Sequence, residues 1–166
     1  MNTGQTIFAL FALALLGTVV VSMNRSLGNS NQVIIQAKLG VTAISIASSL
    51  VEEAQGKAFD KNTDEDIVTA TTQLTPSAQL GLETGEFYPD SLNDFDDFNN
   101  LQRTITPDTL SGVFNISCRV YYIDPATPNV AQTSQTWHKK LNVQVTSPQM
   151  KDTVDAEYIF SYWYFR

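Results

Sequence analysis

Residues 6–23 read TIFALFALALLGTVVVSM, and residues 29–59 read NSNQVIIQAKLGVTAISIASSLVEEAQGKAF. The first run carries no charge and is close to the ~20 apolar residues that a helix needs to cross a bilayer core. In the second, Ile34, Ala37, Val41, Ile44, Ala47, Val51, Ala54 and Ala58 recur at steps of three and four, which puts them on one helical stripe. Ile35, Leu39, Ile46 and Leu50 form a second stripe beside it. Together the stripes are wider than one packing partner needs. Gly17, Gly28 and Gly40 can bend a helix without ending it, and no proline occurs before Pro76. A single helix from Thr6 to Phe59 is therefore expected, roughly 80 Å long at 1.5 Å per residue. Its first half is apolar all round, and its second half is amphipathic on two sides.

A cleaved secretory signal needs a basic stretch before its apolar run and a small-x-small site after it. No Lys or Arg precedes Arg25, and the run is followed by Ser22-Met23-Asn24-Arg25. A plain single-span anchor and the apolar end of a working helix both fit the segment better.

The full chain of 166 residues is 43% hydrophobic and 16% charged, with a net charge of -7. That balance is too apolar for disorder. It speaks against nucleic acid as a partner, because phosphate binding needs clustered Lys and Arg. The acid is concentrated: Asp60 to Asp108 holds eleven acidic residues and two basic ones, Lys61 and Arg103. One cysteine, Cys118, excludes an intrachain disulfide, and one histidine, His138, excludes the usual His/Cys zinc sites.

The stretch DKNTDED ends the helix and opens a loop region over residues 60–110, with Pro76 and Gly81 and at most one short strand between residues 67 and 82. Within it, Asp90, Asp94, Asp96 and Asp97 are interleaved with Leu92, Phe95 and Phe98. Two readings of this string compete. Hard cations take several oxygens from short acidic loops, so the four aspartates are candidate calcium ligands. The alternative is a turn pinned to the core by its aromatic residues, with aspartates that face water and cap helix ends. The EF-hand spacing is absent.

The last part of the chain reads as strands. In Val113–Ile123, Phe114, Ile116, Cys118, Val120 and Tyr122 alternate on one face. In Trp137–Thr146, Leu141, Val143 and Val145 face one way and Lys140, Asn142, Gln144 and Thr146 the other. In Thr153–Arg166, Val154, Ala156, Tyr158, Phe160, Tyr162 and Tyr164 share a face, with Ile159, Trp163 and Phe165 opposite. A strand apolar on both sides is expected at the centre of a sheet, or against a neighbouring subunit. The connectors DPATPNVAQTSQ and SPQMKD suit turns. The fold expected is α+β: a long N-terminal helix whose apolar half protrudes and whose amphipathic half covers one side of an antiparallel sheet.

Catalytic chemistry finds no footing. His138 lies on an alternating strand with its ring expected toward solvent, Cys118 belongs to an apolar face, and no glycine-rich phosphate loop is present. Neither an enzyme nor a small-molecule substrate is expected.

The segments Gly4-Gln5, Thr6 to Met23, the amphipathic continuation to Phe59 and the strand-rich tail together resemble a type IV pilin or pseudopilin. The string DFDDFN is similar to one in minor pilins of the mannose-sensitive haemagglutinin type. The resemblance implies a leader cut after Gly4, so that Gln5 becomes the first residue. It also implies insertion in the inner membrane and then extraction into the core of an extracellular, cell-surface filament of identical subunits. The family's glutamate at the fifth mature position is replaced here by Ala9 (Gln5 if Met1 is kept). Register must then come from apolar packing rather than from a buried ion pair. The side chains expected to pack between subunits are Ile7, Phe8, Leu10, Phe11, Leu13, Leu15, Leu16, Val19 and Val20, followed by Ile35, Leu39, Ile46 and Leu50. Residues 1–28 would form the membrane or filament core. Residues 29–166 would form the head, made of the half-helix 29–59, the acidic region 60–110 and the β-meander 111–166. The alternative is a single-span, membrane-anchored periplasmic binding module that takes calcium.

Overall fold

The structure, a computed structural model, describes residues 2–64, 67–107 and 112–162. One helix, α1, runs from Thr3 to Gln55 without a break. The chain divides into two units between Lys38 and Leu39. In the first unit the side chains of α1 are exposed almost without exception. In the second, Leu39, Ala43, Ala47, Leu50 and Ala54 are buried, at steps of four, four, three and four.

The helix stops at Gln55, short of the expected Phe59. Its last turn tightens through bonds from the Gly56 amide to the Glu53 carbonyl and from the Lys57 amide to the Ala54 carbonyl. Ala58 then leaves the helical path to pair with the acidic loop. Its amide donates to the Asn93 carbonyl at 3.2 Å, and its carbonyl accepts from Phe95 at 2.9 Å.

Five strands form one antiparallel sheet: β1 (Gln102–Ile105), β2 (Phe114–Asp124), β3 (Thr127–Gln132), β4 (His138–Thr146) and β5 (Val154–Ser161). The order is β1-β2-β4-β5, and β3 also pairs with β2. The long strands lie where alternation places them, with Phe114, Ile116, Cys118, Val120 and Tyr122 buried along β2 and Leu141, Val143 and Val145 along β4. The α+β fold is thus the expected one, with corrections. β1 lies in a stretch expected to be loop. β3 lies in a connector expected to be a turn. β5 is an edge strand, paired with β4 alone. Its outward residue Ile159 is exposed, and Trp163, Tyr164 and Phe165 lie outside the described residues.

β1 and β3 are short because they share one edge of β2, at opposite ends. Between them the edge is completed by the loop. The Cys118 amide donates to the Leu101 carbonyl at 2.9 Å, and the Val120 amide donates to Asn99 Oδ1 at 3.0 Å. The loop is therefore fastened to the sheet before β1 begins.

The buried stripe of α1 packs in one core with Phe95, Phe98 and the inward faces of β2 and β4. A second cluster gathers Phe59, Val68, Leu74, Leu80 and Tyr122. Three of the five buried positions on the helix stripe are alanines. This arrangement corrects the expected division of the helix surface. Leu39 and Leu50, read as subunit contacts, are core residues, and Ile46 is packed against that core. The true core face includes Ala43 and runs between the two stripes that periodicity suggests.

Leu50→Ala should therefore lower unfolding stability by about 2–5 kcal/mol. Ile44→Ala, on the exposed side of the same helix, should stay within ~0.5 kcal/mol of wild type. Denaturant titration of the two variants checks the assignment.

Candidate functional site: a buried lysine, an acidic loop and an exposed helix face

Alternation along β4 puts Lys139 on the same face as Leu141 and Val143, and the side chain is fully buried. Its ammonium donates to Asp60 Oδ2 at 2.7 Å, to Asp96 Oδ1 at 2.6 Å and to the Phe59 carbonyl at 2.9 Å. All three ammonium hydrogens thus have an acceptor, as a buried lysine requires. The rings of Phe59 and Tyr122 lie 4.7 and 5.3 Å from the nitrogen.

Among the described residues, Asp60 is the most heavily partnered carboxylate. Its Oδ1 accepts from the Asn62 amide and the Thr75 hydroxyl, and its Oδ2 accepts from the Thr75 amide at 3.0 Å. The Tyr122 hydroxyl donates to the Thr75 carbonyl at 2.8 Å and lies 3.2 Å from Asp60 Oδ2. Burial works to raise the Asp60 pKa, but the Lys139 charge, with the amides of Asn62 and Thr75, outweighs it and holds the group below its ordinary range. Asp96 shares the same ammonium but has fewer donors, and burial pushes it upward.

The aspartates of the loop do not form a solvated face. Asp94, Asp96 and Asp97 are each no more than 1% exposed, and only Asp90 faces water. Aromatic pinning pulls the carboxylates inward with the rings: Phe95 packs edge-on against Phe160 and Tyr158, at 5.3 and 6.2 Å between centroids. Asp94 Oδ1 accepts from the amides of Asp96 and Asp97 at 2.9 and 3.2 Å. Asp97 Oδ2 accepts from Asn93 and Asp94 at 2.9 and 3.1 Å. Each carboxylate thus caps the other's turn. Burial, with the charges of Asp96 and Asp97, pushes the Asp94 carboxyl up to about 9. Burial also raises Asp97, and it raises Glu83, which has Glu86 beside it.

Of the four expected calcium ligands, Asp94 and Asp97 are grouped with Glu83, a residue outside the expected set, and the Asp96 side chain lies beside that of Asp94. One carboxylate oxygen from each of Glu83, Asp94 and Asp97 lies within 4.8 Å of the other two. Asp96 is committed to Lys139, and Asp90 is exposed.

Along the first unit of α1, Ile7, Phe8, Leu10, Phe11, Leu13, Leu15, Leu16, Val19 and Val20 are all exposed. Gly4 and Gln5 are exposed as well, in the opening turn of the helix. By length and composition α1 is capable of crossing a membrane. Ile35 is also exposed. In the second unit, Val41 and Ile44 are 65% and 54% exposed. At about 100° per residue they point away from the stripe that meets the sheet.

The remaining expectations concern two isolated side chains. His138 is half-buried rather than open to solvent, with Nδ1 2.7 Å from the Ser161 hydroxyl oxygen. Cys118 is buried, and burial pushes its thiol up to about 12, which leaves it unreactive at neutral pH. Comparison of the chain with protein-family models, with curated proteins and with solved structures finds no match.

Lys139→Met should cost about 3–5 kcal/mol, because it strands Asp60 and Asp96 in the interior without their cation. Asp60 also sets an acid limit. Its folded-state pKa lies below the ordinary aspartate value of 3.8, so the unfolded chain binds the proton more readily. The stability Asp60 contributes is complete above that value and is lost as pH falls below it. Asp60→Asn should be clearly less stable than wild type near pH ~7, and the gap should narrow toward pH ~3, as read from denaturation midpoints across the range.

Proposed function

We propose that this chain is a structural subunit of a type IV pilus-like filament, held together by packing of the apolar helices of identical copies. The observation that carries this reading is the unmatched apolar surface of α1. It comprises the charge-free run from Ile7 to Val20 together with Val41 and Ile44 on the side turned from the sheet. Exposed apolar surface of that amount needs lipid or protein to cover it. Lipid would serve in the inner membrane before assembly, and neighbouring helices would serve in the extracellular filament. Because Ala9 stands where the resembled family has its glutamate, axial register would be set by side-chain shape along the helices. The role needs no catalytic group, nucleic acid or small-molecule substrate.

The subunit contacts on the second unit are Val41 and Ile44, in place of Leu39 and Leu50. The double variant Val41→Asp with Ile44→Asp should abolish filaments in negative-stain micrographs of sheared surface material, because aspartates would be buried without partners at every interface. Its unfolding midpoint should remain within ~0.5 kcal/mol of wild type, since both sites are exposed in the subunit. Filaments of normal abundance from that variant would overturn the assignment of these two contacts, whereas absence of filaments from the wild-type chain, monomeric in detergent, would favour a membrane-anchored binding module.

A further inference from the structure

A buried carboxylate oxygen with no donor is an expensive group, and this fold gathers several in one place. Among the described residues, three buried side-chain oxygens have no hydrogen-bond partner: Glu83 Oε2, Asp94 Oδ2 and Asp97 Oδ1. They belong to the three residues whose carboxylates approach one another within 4.8 Å. The coincidence has a structural basis. The Asp94 and Asp97 side chains are each anchored through one oxygen by two backbone amides, which leaves the second oxygen of each unpartnered. Glu83 is held by Lys61, which reaches Oε1 at 3.2 Å and leaves Oε2 bare. Asp94 and Asp97 are no more than 1% exposed. Water therefore does not solvate the pair, and Lys139 is already engaged by Asp60 and Asp96.

We propose that Glu83, Asp94 and Asp97 form a binding site for a hard divalent cation, calcium, whose charge matches the unpartnered oxygens of the acidic loop. The donor set is all oxygen, which suits calcium and excludes the softer metals that need imidazole or thiolate. Calcium–oxygen distances of about 2.3–2.6 Å let one ion touch oxygens as far apart as those observed here, and calcium completes its sphere with water. The ligands come from two parts of the loop region. Glu83 opens a turn closed by the Glu86 amide on its carbonyl, Asp94 is the residue paired with Ala58, and Asp97 follows two residues after Phe95. Bound calcium would tie these parts together and would favour the ionised state of all three carboxyls, against the effect of burial that raises each of them. The proposal stands apart from the filament reading, because it concerns only the head.

The test uses the full chain in detergent, stripped with EDTA and melted with and without about 1 mM calcium chloride near pH ~7.5. Calcium should raise the melting temperature by at least ~5 °C, and titration calorimetry should give a single ion per chain. Asp97→Asn keeps an oxygen for the Asn93 and Asp94 amides and replaces the unpartnered one with an amide group, so it should lose the calcium response. Glu83→Gln, on a more exposed residue, provides a second variant if the first folds poorly, and its calcium affinity should fall by about tenfold or more. Asp90→Asn should respond as wild type does. A wild-type melting temperature that ignores calcium, or a full response in both Asp97→Asn and Glu83→Gln, overturns the site. A melting temperature insensitive to calcium but raised by Asp94→Asn would show that the carboxyls are accommodated by protons alone.

Discussion

A single ammonium group, that of Lys139, joins three parts of the head that the chain would otherwise leave apart. It holds the segment just past the helix through the Phe59 carbonyl and Asp60, the acidic turn through Asp96, and the sheet through β4 itself. Removing a lysine from water is costly, and only a complete set of short, charge-assisted bonds offsets that cost. Here the set is complete, and two aromatic rings close the remaining space. The same centre fixes Tyr122 and Thr75 around Asp60, so the second hydrophobic cluster assembles on a polar frame. Removing one partner from a buried network of this kind is costly, because it leaves an uncompensated charge in the interior.

The electrostatic balance around that centre is uneven. Two carboxylates meet one ammonium, and further acid follows at Asp94 and Asp97, which form no salt bridge among the described residues. Phe95 and Phe98 explain why the acid is inside at all. Two fully buried rings flank Asp96 and Asp97, and a turn cannot send its aromatics inward and keep every intervening side chain in water. The strain between apolar anchoring and carboxylate solvation is local. It is relieved on one oxygen of Asp94 and of Asp97 by backbone amides, and left unrelieved on the other.

The helix shows the same economy in apolar terms. Its second unit commits a narrow stripe rich in alanine to the sheet and leaves Val41 and Ile44 uncovered. The larger apolar side chains that remain need some other partner, and this excess, more than any motif, makes self-assembly the natural reading.

What the sequence alone determined was whatever depends on repetition. The unbroken helix followed from a long apolar run without proline, and the faces of β2 and β4 followed from strict alternation, because local geometry repeats with a period that residue types reveal. Lys139 itself obeyed that alternation, two residues before Leu141, yet its charge concealed its burial. The core face of α1, the short strands β1 and β3, the edge position of β5 and the interior placement of the aspartates were decided only by tertiary structure. Each depends on a partner distant in the chain: Asp60 for Lys139, β2 for its two short neighbours, the sheet for Leu39 and Leu50. Periodicity states which residues share a surface. Which surface is covered, and by what, is settled only when distant segments compete to bury it.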